Sequence, residues 1–104
     1  MIDLRNFNKT VLSSDGTGVA VVGGGVHLGP MARAVHAQGN RAISHGICPS
    51  VGIGGHSTHG GWGYTSRAWG LTLDHIVEMQ VVLANGTETW ASPNSNPDLY
   101  WVSE

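Results

Sequence analysis

The sequence predicts an α+β domain rich in strands and sparse in helices. Three observations carry that prediction. β-branched and apolar runs lie near both ends of the chain, only one stretch has the apolar spacing of a full-length helix, and Asn85-Gly86 separates two extended runs. With 104 residues there is room for one small domain, or a piece of a larger one, burying roughly 65% of the surface its unfolded chain exposes. Sixteen glycines make that margin thinner, because each loses much backbone entropy and buries no side chain.

Along the chain, Met1 to Leu4 is extended in character. Thr10 to Ser14 reads as a strand, Ser14-Asp15-Gly16 as a turn, and Gly18 to Val22 as a buried returning strand. Gly23-Gly24-Gly25 breaks that strand. A helix follows, with Pro30 in its first turn, Leu28, Met31 and Val35 on one face, and Gly39 just past its end. Arg41 to Ser44 is a short extended lead into a glycine-rich segment. From His75 onward the pattern is β-like. Asn85-Gly86, set between "IVEMQVV" and Thr87 to Trp90, is a strong hairpin signal. Asn96 is placed to cap a short last helix with Pro97 in its first turn and Leu99, Tyr100 and Val102 as apolar contacts.

Charge excludes some partners. Five Lys and Arg residues against seven Asp and Glu give a net charge of −2, and the basic residues are scattered, so no nucleic-acid footprint is expected. No apolar run approaches the ~20 residues that span a bilayer, so no membrane partner is expected. "MIDLRNF" lacks the basic and apolar blocks of a signal peptide. Asn8-Lys9-Thr10 and Asn85-Gly86-Thr87 are sequons, which alone decide nothing.

The chemistry concentrates in "SHGICPSVGIGGHSTHGGWGYTSRAWG", Ser44 to Gly70. This stretch holds eight of the sixteen glycines, three of the six histidines and the single cysteine, Cys48. Gly52, Gly54, Gly55, Gly60, Gly61 and Gly63 exceed what a turn needs. They suggest bare main chain lying against a flat ligand, with N–H groups as donors. The usual nucleotide motifs are missing: there is no phosphate-loop pattern, and Gly52-Ile53-Gly54-Gly55-His56-Ser57 departs from G-x-G-x-x-G at its last residue. Two other readings stay open, a purely structural glycine loop and a zinc site on His45, Cys48, His56 and His59.

The run H-G-x-C-P-x-V-G-x-G-G-H-x-x-H-G-G-W-G, with "VVGGGVHLGPMARAVHAQGNRAISHG" before it and "SPNSNPDLYWV" after, resembles the flavin domain of the vanillyl-alcohol-oxidase family. The similarity is to its berberine-bridge-enzyme-like and glucooligosaccharide-oxidase-like branch and covers nearly the whole chain. The resemblance implies a partial PCMH-type FAD-binding domain over residues 1–104, its second, strand-rich subdomain, with FAD as cofactor. It implies that Cys48 forms a thioether to C6 of the isoalloxazine. A thiolate is needed for this, so local donors must act on the sulfur: amides of the following loop, or His45. It further implies flavin contacts from Val51, Gly52, Gly54, Gly55, His56, His59, Gly60 and Gly63, and from a main-chain group of Val77 on the strand Ile76-Val77-Glu78. Trp62 stands where the family has an aromatic residue beside the flavin loop. His56 and His59 read equally well as loop-stabilising hydrogen bonders, and His27, His36 and His75 as surface or strand-edge residues.

The expected parent reaction is flavin-mediated oxidation of a hydroxyl-bearing substrate, a carbohydrate foremost, with oxygen as acceptor. The resemblance places the catalytic base and the small-molecule contacts in a substrate domain, so no catalytic residue is assigned here. By the family pattern a second flavin-anchoring histidine loop would precede Met1, and an A-L-R-G-A-G-type stretch would follow where "VSE" stands. The expectation is therefore a fragment that binds FAD weakly or not at all by itself. An inactive remnant and a small zinc module are the alternatives. Secretion is expected only of a full-length parent.

Overall fold

The computed structural model describes residues 1–103 and supports the α+β reading. Two small antiparallel hairpins flank a long, glycine-rich connection. The first pairs β1 (Thr10–Leu12) with β2 (Ala20–Val22) in the register Thr10↔Val22 and Leu12↔Ala20. Its turn is set by Asp15, whose Oδ1 accepts from the Thr17 amide at 2.9 Å and the Thr17 hydroxyl at 2.6 Å. Gly16 and Gly18 take positive φ there. Both strands are shorter than the sequence suggests, and Met1 to Leu4 forms no strand.

Helix α1 (Leu28–Gly39) buries Leu28, Met31 and Val35, the face predicted from their spacing. Gly39 is its last residue rather than the one beyond it. The left-handed stop falls on Asn40 at φ 52°, whose amide reaches the His36 carbonyl at 2.7 Å. The helix packs on β1 through Gln38: its Oε1 accepts from the Leu12 amide at 2.8 Å and its Nε2 donates to the Thr10 carbonyl at 3.0 Å. Those two groups point away from β2, because β2 is bonded through the alternate residues, as in Gly23 N–H to Lys9 O and Ser13 N–H to Val19 O.

Two short helices interrupt the connection, α2 (Ile53–Ser57) and α3 (Ser66–Trp69), followed by a 3₁₀ turn at Leu73–His75. Neither helix is evident from the sequence. The core sits beneath α2, where Val26, Leu28, Met31 and Ile53 are buried with Val22 and Ile43 against them.

The second hairpin pairs β3 (Met79–Val82) with β4 (Glu88–Ala91), Met79 opposite Ala91. Asn85-Gly86 does form its turn. Five residues, Leu83 to Thr87, connect the strands; the Leu83 amide donates to the Thr87 carbonyl across the three residues between them, and of these Gly86 alone takes positive φ, at 82°. Val77 lies ahead of β3, not within a strand. Helix α4 (Pro97–Ser103) packs against β4. Asn96 precedes it as expected, and its carbonyl accepts from the Tyr100 amide at 3.0 Å. The Asn96 side chain, however, turns back to the Trp90 carbonyl at 2.8 Å instead of capping the helix. Tyr100 is buried and donates its hydroxyl to the Ile76 carbonyl at 2.7 Å, while Val102 stays exposed.

Candidate functional site

The base of α1 positions the cysteine. A helix leaves its first N–H groups without intrahelical acceptors. His27, at the N-cap, makes no side-chain cap here. Backbone carbonyls of the cysteine turn serve instead: Leu28 N–H donates to Val51 O at 2.9 Å and Gly29 N–H to Pro49 O at 3.0 Å. A third rung, Ile53 N–H to Val26 O at 2.8 Å, continues the ladder into α2. The approach is close enough that a Cβ on Gly29 would lie 2.7 Å from Pro49 Cβ. Pro49 occupies the second position of a turn closed by Val51 N–H to Cys48 O at 3.3 Å.

Cys48 itself is exposed. Its Sγ lies 3.2 Å from Ser50 Oγ, two residues on in the same turn. The Ser50 hydroxyl, then the Ser50 amide, hold the thiol below its ordinary value; slight desolvation opposes them, and the Val51 amide adds a smaller lowering. The donors are therefore those of the following loop. His45 is engaged elsewhere, its Nδ1 2.6 Å from the Gly46 carbonyl. Ser50 was not legible as a site residue, although a hydroxyl two residues after a reactive cysteine is a local signal that could have found it.

The glycines divide into two groups. Some meet the protein's own chain. A side chain at Gly63 would strike the His45 carbonyl, and one at Gly61 would strike Thr72. A Cβ at Gly54 would stand 3.0 Å from the Gly24 carbonyl and one at Gly46 2.8 Å from the His56 ring. Gly60 has φ +93°, closed to most residues. Gly52 and Gly55 face open space, so no contact within the chain accounts for their lack of a side chain.

A hydroxyl network fixes the far side of this loop. The buried Thr72 hydroxyl is shared between the carbonyls of Ser44, at 2.8 Å, and Gly61, at 2.9 Å. The Ser44 hydroxyl meets Ser66 Oγ at 3.1 Å and accepts from Thr65 Oγ1 at 3.2 Å, and the Gly63 amide donates to Ser66 Oγ at 2.9 Å. These partners are 21 to 28 residues apart in sequence for the links to Ser44, so no local motif could reveal them.

His56 Nε2 accepts from the Gly46 amide at 3.0 Å, and His59 Nδ1 lies 3.2 Å from the Gly55 carbonyl and 3.0 Å from Thr58 Oγ1. Both rings thus brace the loop. Among the described residues no three His, Cys, Asp or Glu side chains converge as a metal-binding group, so His45, Cys48, His56 and His59 do not gather. Val51 lies beside Cys48, exposed like Val77 and Trp62. Val77 is tethered through its neighbour Ile76 to Tyr100 rather than to the cysteine turn. No helix among the described residues is long and apolar enough to cross a membrane.

Comparison with known proteins agrees with this geometry. The FAD binding domain family matches residues 1–92. The chain is 51% identical over 102 residues to a xylooligosaccharide oxidase of Thermothelomyces thermophilus, covering 98% of this chain and 20% of that protein. It is 46% identical over 101 residues to a carbohydrate oxidase of Microdochium nivale, covering 97% and 20%. A solved glucooligosaccharide oxidase of Acremonium strictum, described as carrying 6-S-cysteinyl, 8α-N1-histidyl FAD, superposes with a TM-score of 0.92 at 41% identity, over 99% of this chain and 21% of that one. The chain thus spans about a fifth of the length of these relatives. A cysteine turn bolted to a helix base, Gly52 and Gly55 beside it with open space where a side chain would be, and a match over nearly the whole chain lead to one conclusion: the chain belongs to the FAD-binding domain family of PCMH-type oxidases, in the branch shared by carbohydrate oxidases and berberine-bridge-enzyme-like proteins.

Proposed function

We propose that this chain is the part of a flavin-dependent carbohydrate oxidase that holds the isoalloxazine end of FAD, with Cys48 as a covalent anchor. The observation that carries the reading is the placement of Cys48: an exposed thiol, beside hydroxyl and amide donors, on a turn fixed to α1. A merely structural cysteine would be packed as a small apolar side chain. The donor set fits an anionic sulfur, and the fit extends to the neighbouring main chain. Gly52 and Gly55 leave room for a flat ring.

Cys48 would hold the ring through its sulfur. Val51, Gly52, Gly54 and Gly55 would line it, and Val77 would offer a main-chain group. His56, His59, Gly60 and Gly63 would act by shaping the loop. The chain's contribution is position and electrostatics, and bound FAD supplies hydride acceptance from a carbinol carbon and electron return to oxygen. The carbohydrate class rests on the names of the relatives, xylooligosaccharide and carbohydrate oxidase.

The test is a graft. Residues 1–103 replace their counterpart in the xylooligosaccharide oxidase, and the purified chimera is digested with trypsin, which releases Cys48 within peptide 42–67. That peptide is expected to carry the flavin mass, and Cys48→Ala is expected to abolish it. A chimera that holds flavin while its 42–67 peptide is unmodified contradicts the anchor.

A further inference from the structure

The Cys48 turn contains one polar side chain, that of Ser50, which nothing above assigns to the flavin. Ser50 Oγ lies 3.2 Å from Cys48 Sγ, both on the exposed face of the turn. The turn cannot drift, because its Pro49 and Val51 carbonyls are bonded to the first two amides of α1. Pro49 fixes φ ahead of Ser50, which directs residue 50 back toward residue 48.

We propose that Ser50 is a positioning residue for flavin attachment: its hydroxyl donates to the Cys48 sulfur, stabilising the thiolate and fixing the direction from which the sulfur meets the ring. The proposal rests on the reading of Cys48 as flavin anchor. It adds a proton assignment. In the resting thiol the S–H proton can point to Ser50 Oγ. On ionisation that proton leaves to solvent, which reaches the exposed sulfur, and the hydroxyl rotates to become the donor. Among the described residues no other side chain is hydrogen-bonded to the Cys48 sulfur. His45 and His56 are occupied with the carbonyl and amide of Gly46, and His59 with Gly55 and Thr58. His27, at the foot of α1, makes no side-chain cap. Arg33 lines a groove with His36, Arg41 and His45.

Two measurements test the assignment. Cys48 is the only cysteine, so its alkylation by iodoacetamide can be followed on the whole chain as a function of pH. Ser50→Ala is expected to move the native profile to higher pH and slow alkylation severalfold at neutral pH. Ser50→Thr is expected to restore the wild-type profile, and the variants are expected to coincide in denaturant. In the grafted oxidase, prepared without flavin and then given FAD, Ser50→Ala is expected to slow covalent incorporation severalfold at neutral pH. The lag should close at high pH, where the thiol ionises unaided. Incorporation by Ser50→Ala at the wild-type rate throughout the pH range overturns the proposal. Failure of the wild-type graft to place flavin on peptide 42–67 overturns the anchor itself, and the alkylation profile still reports on Ser50.

Discussion

Gly63 and Gly55 belong to one glycine-rich run but answer to different neighbours. A methyl at Gly63 would enter the space of the His45 carbonyl, and neither group can retreat, because both are backbone. Gly63→Ala is therefore expected to lower stability by about 1–3 kcal/mol, the usual cost of overpacking, read as a fall in urea midpoint. Gly55 sits within α2 with nothing near its missing side chain. Gly55→Ala is expected to leave stability unchanged or raise it by up to about 1 kcal/mol, through helix propensity. In the grafted oxidase the same change should loosen flavin retention. If Gly55→Ala destabilises the fold as much as Gly63→Ala, the division of the glycines fails. The sequence marked this run as special, and the exposed cysteine agrees with that. It could not sort the glycines, because the atoms that crowd Gly54, Gly61 and Gly63 come from Gly24, Thr72 and His45, distant in the chain.

At the scale of elements, what was legible was periodic. Leu28, Met31 and Val35 repeat at helical spacing and are buried as one face, and the Asn-Gly hairpin stands where its dipeptide marks it. Helix α2 was not legible. Two of its five residues are glycines, poor helix formers, and the segment is helical because burial of Ile53 and Ser57 and the rung to Val26 hold it. The β1–β2 turn leads to a prediction about acid. Asp15 accepts from Thr17 and Ser13, which lowers its pKa to about 2 from the ordinary 3.8. A carboxylate with a depressed folded pKa supports the turn above its unfolded value and loses that support as pH falls through the folded one. The Thr17 amide resonance is expected to titrate near pH 2, and to lose that step in Asp15→Asn. A midpoint near 3.8 would show that the turn does not hold the carboxylate. At the other hairpin, Tyr100→Phe removes the 2.7 Å bond to Ile76 O, for an expected loss of about 1 kcal/mol in thermal or urea unfolding.

At the scale of the whole molecule, the Cα radius of gyration of 13.6 Å is that of a compact chain of about this length, near 13 Å for ~100 residues. The surface is less ordinary. Trp62, Tyr64, Trp69, Trp101 and Val102 are all more than half exposed, and each sheet has only two strands. Isolated two-stranded sheets are marginal in water. With a fifth of the relatives' length represented, the chain alone is expected to bind a hydrophobic dye and unfold with low cooperativity. It should also lack acid-stable yellow colour after incubation with FAD. Stoichiometric, acid-stable colour would show that the isolated chain builds the whole cradle.

Gln38 bears on how such a surface behaves in solution. Its carboxamide occupies the donor and acceptor that β1 would otherwise offer to a further strand, so a side chain does there what a neighbouring polypeptide would do. Shortening it to alanine would uncover a sticky seam, and the first symptom would be precipitation on concentrating the protein rather than a change in colour or chemistry.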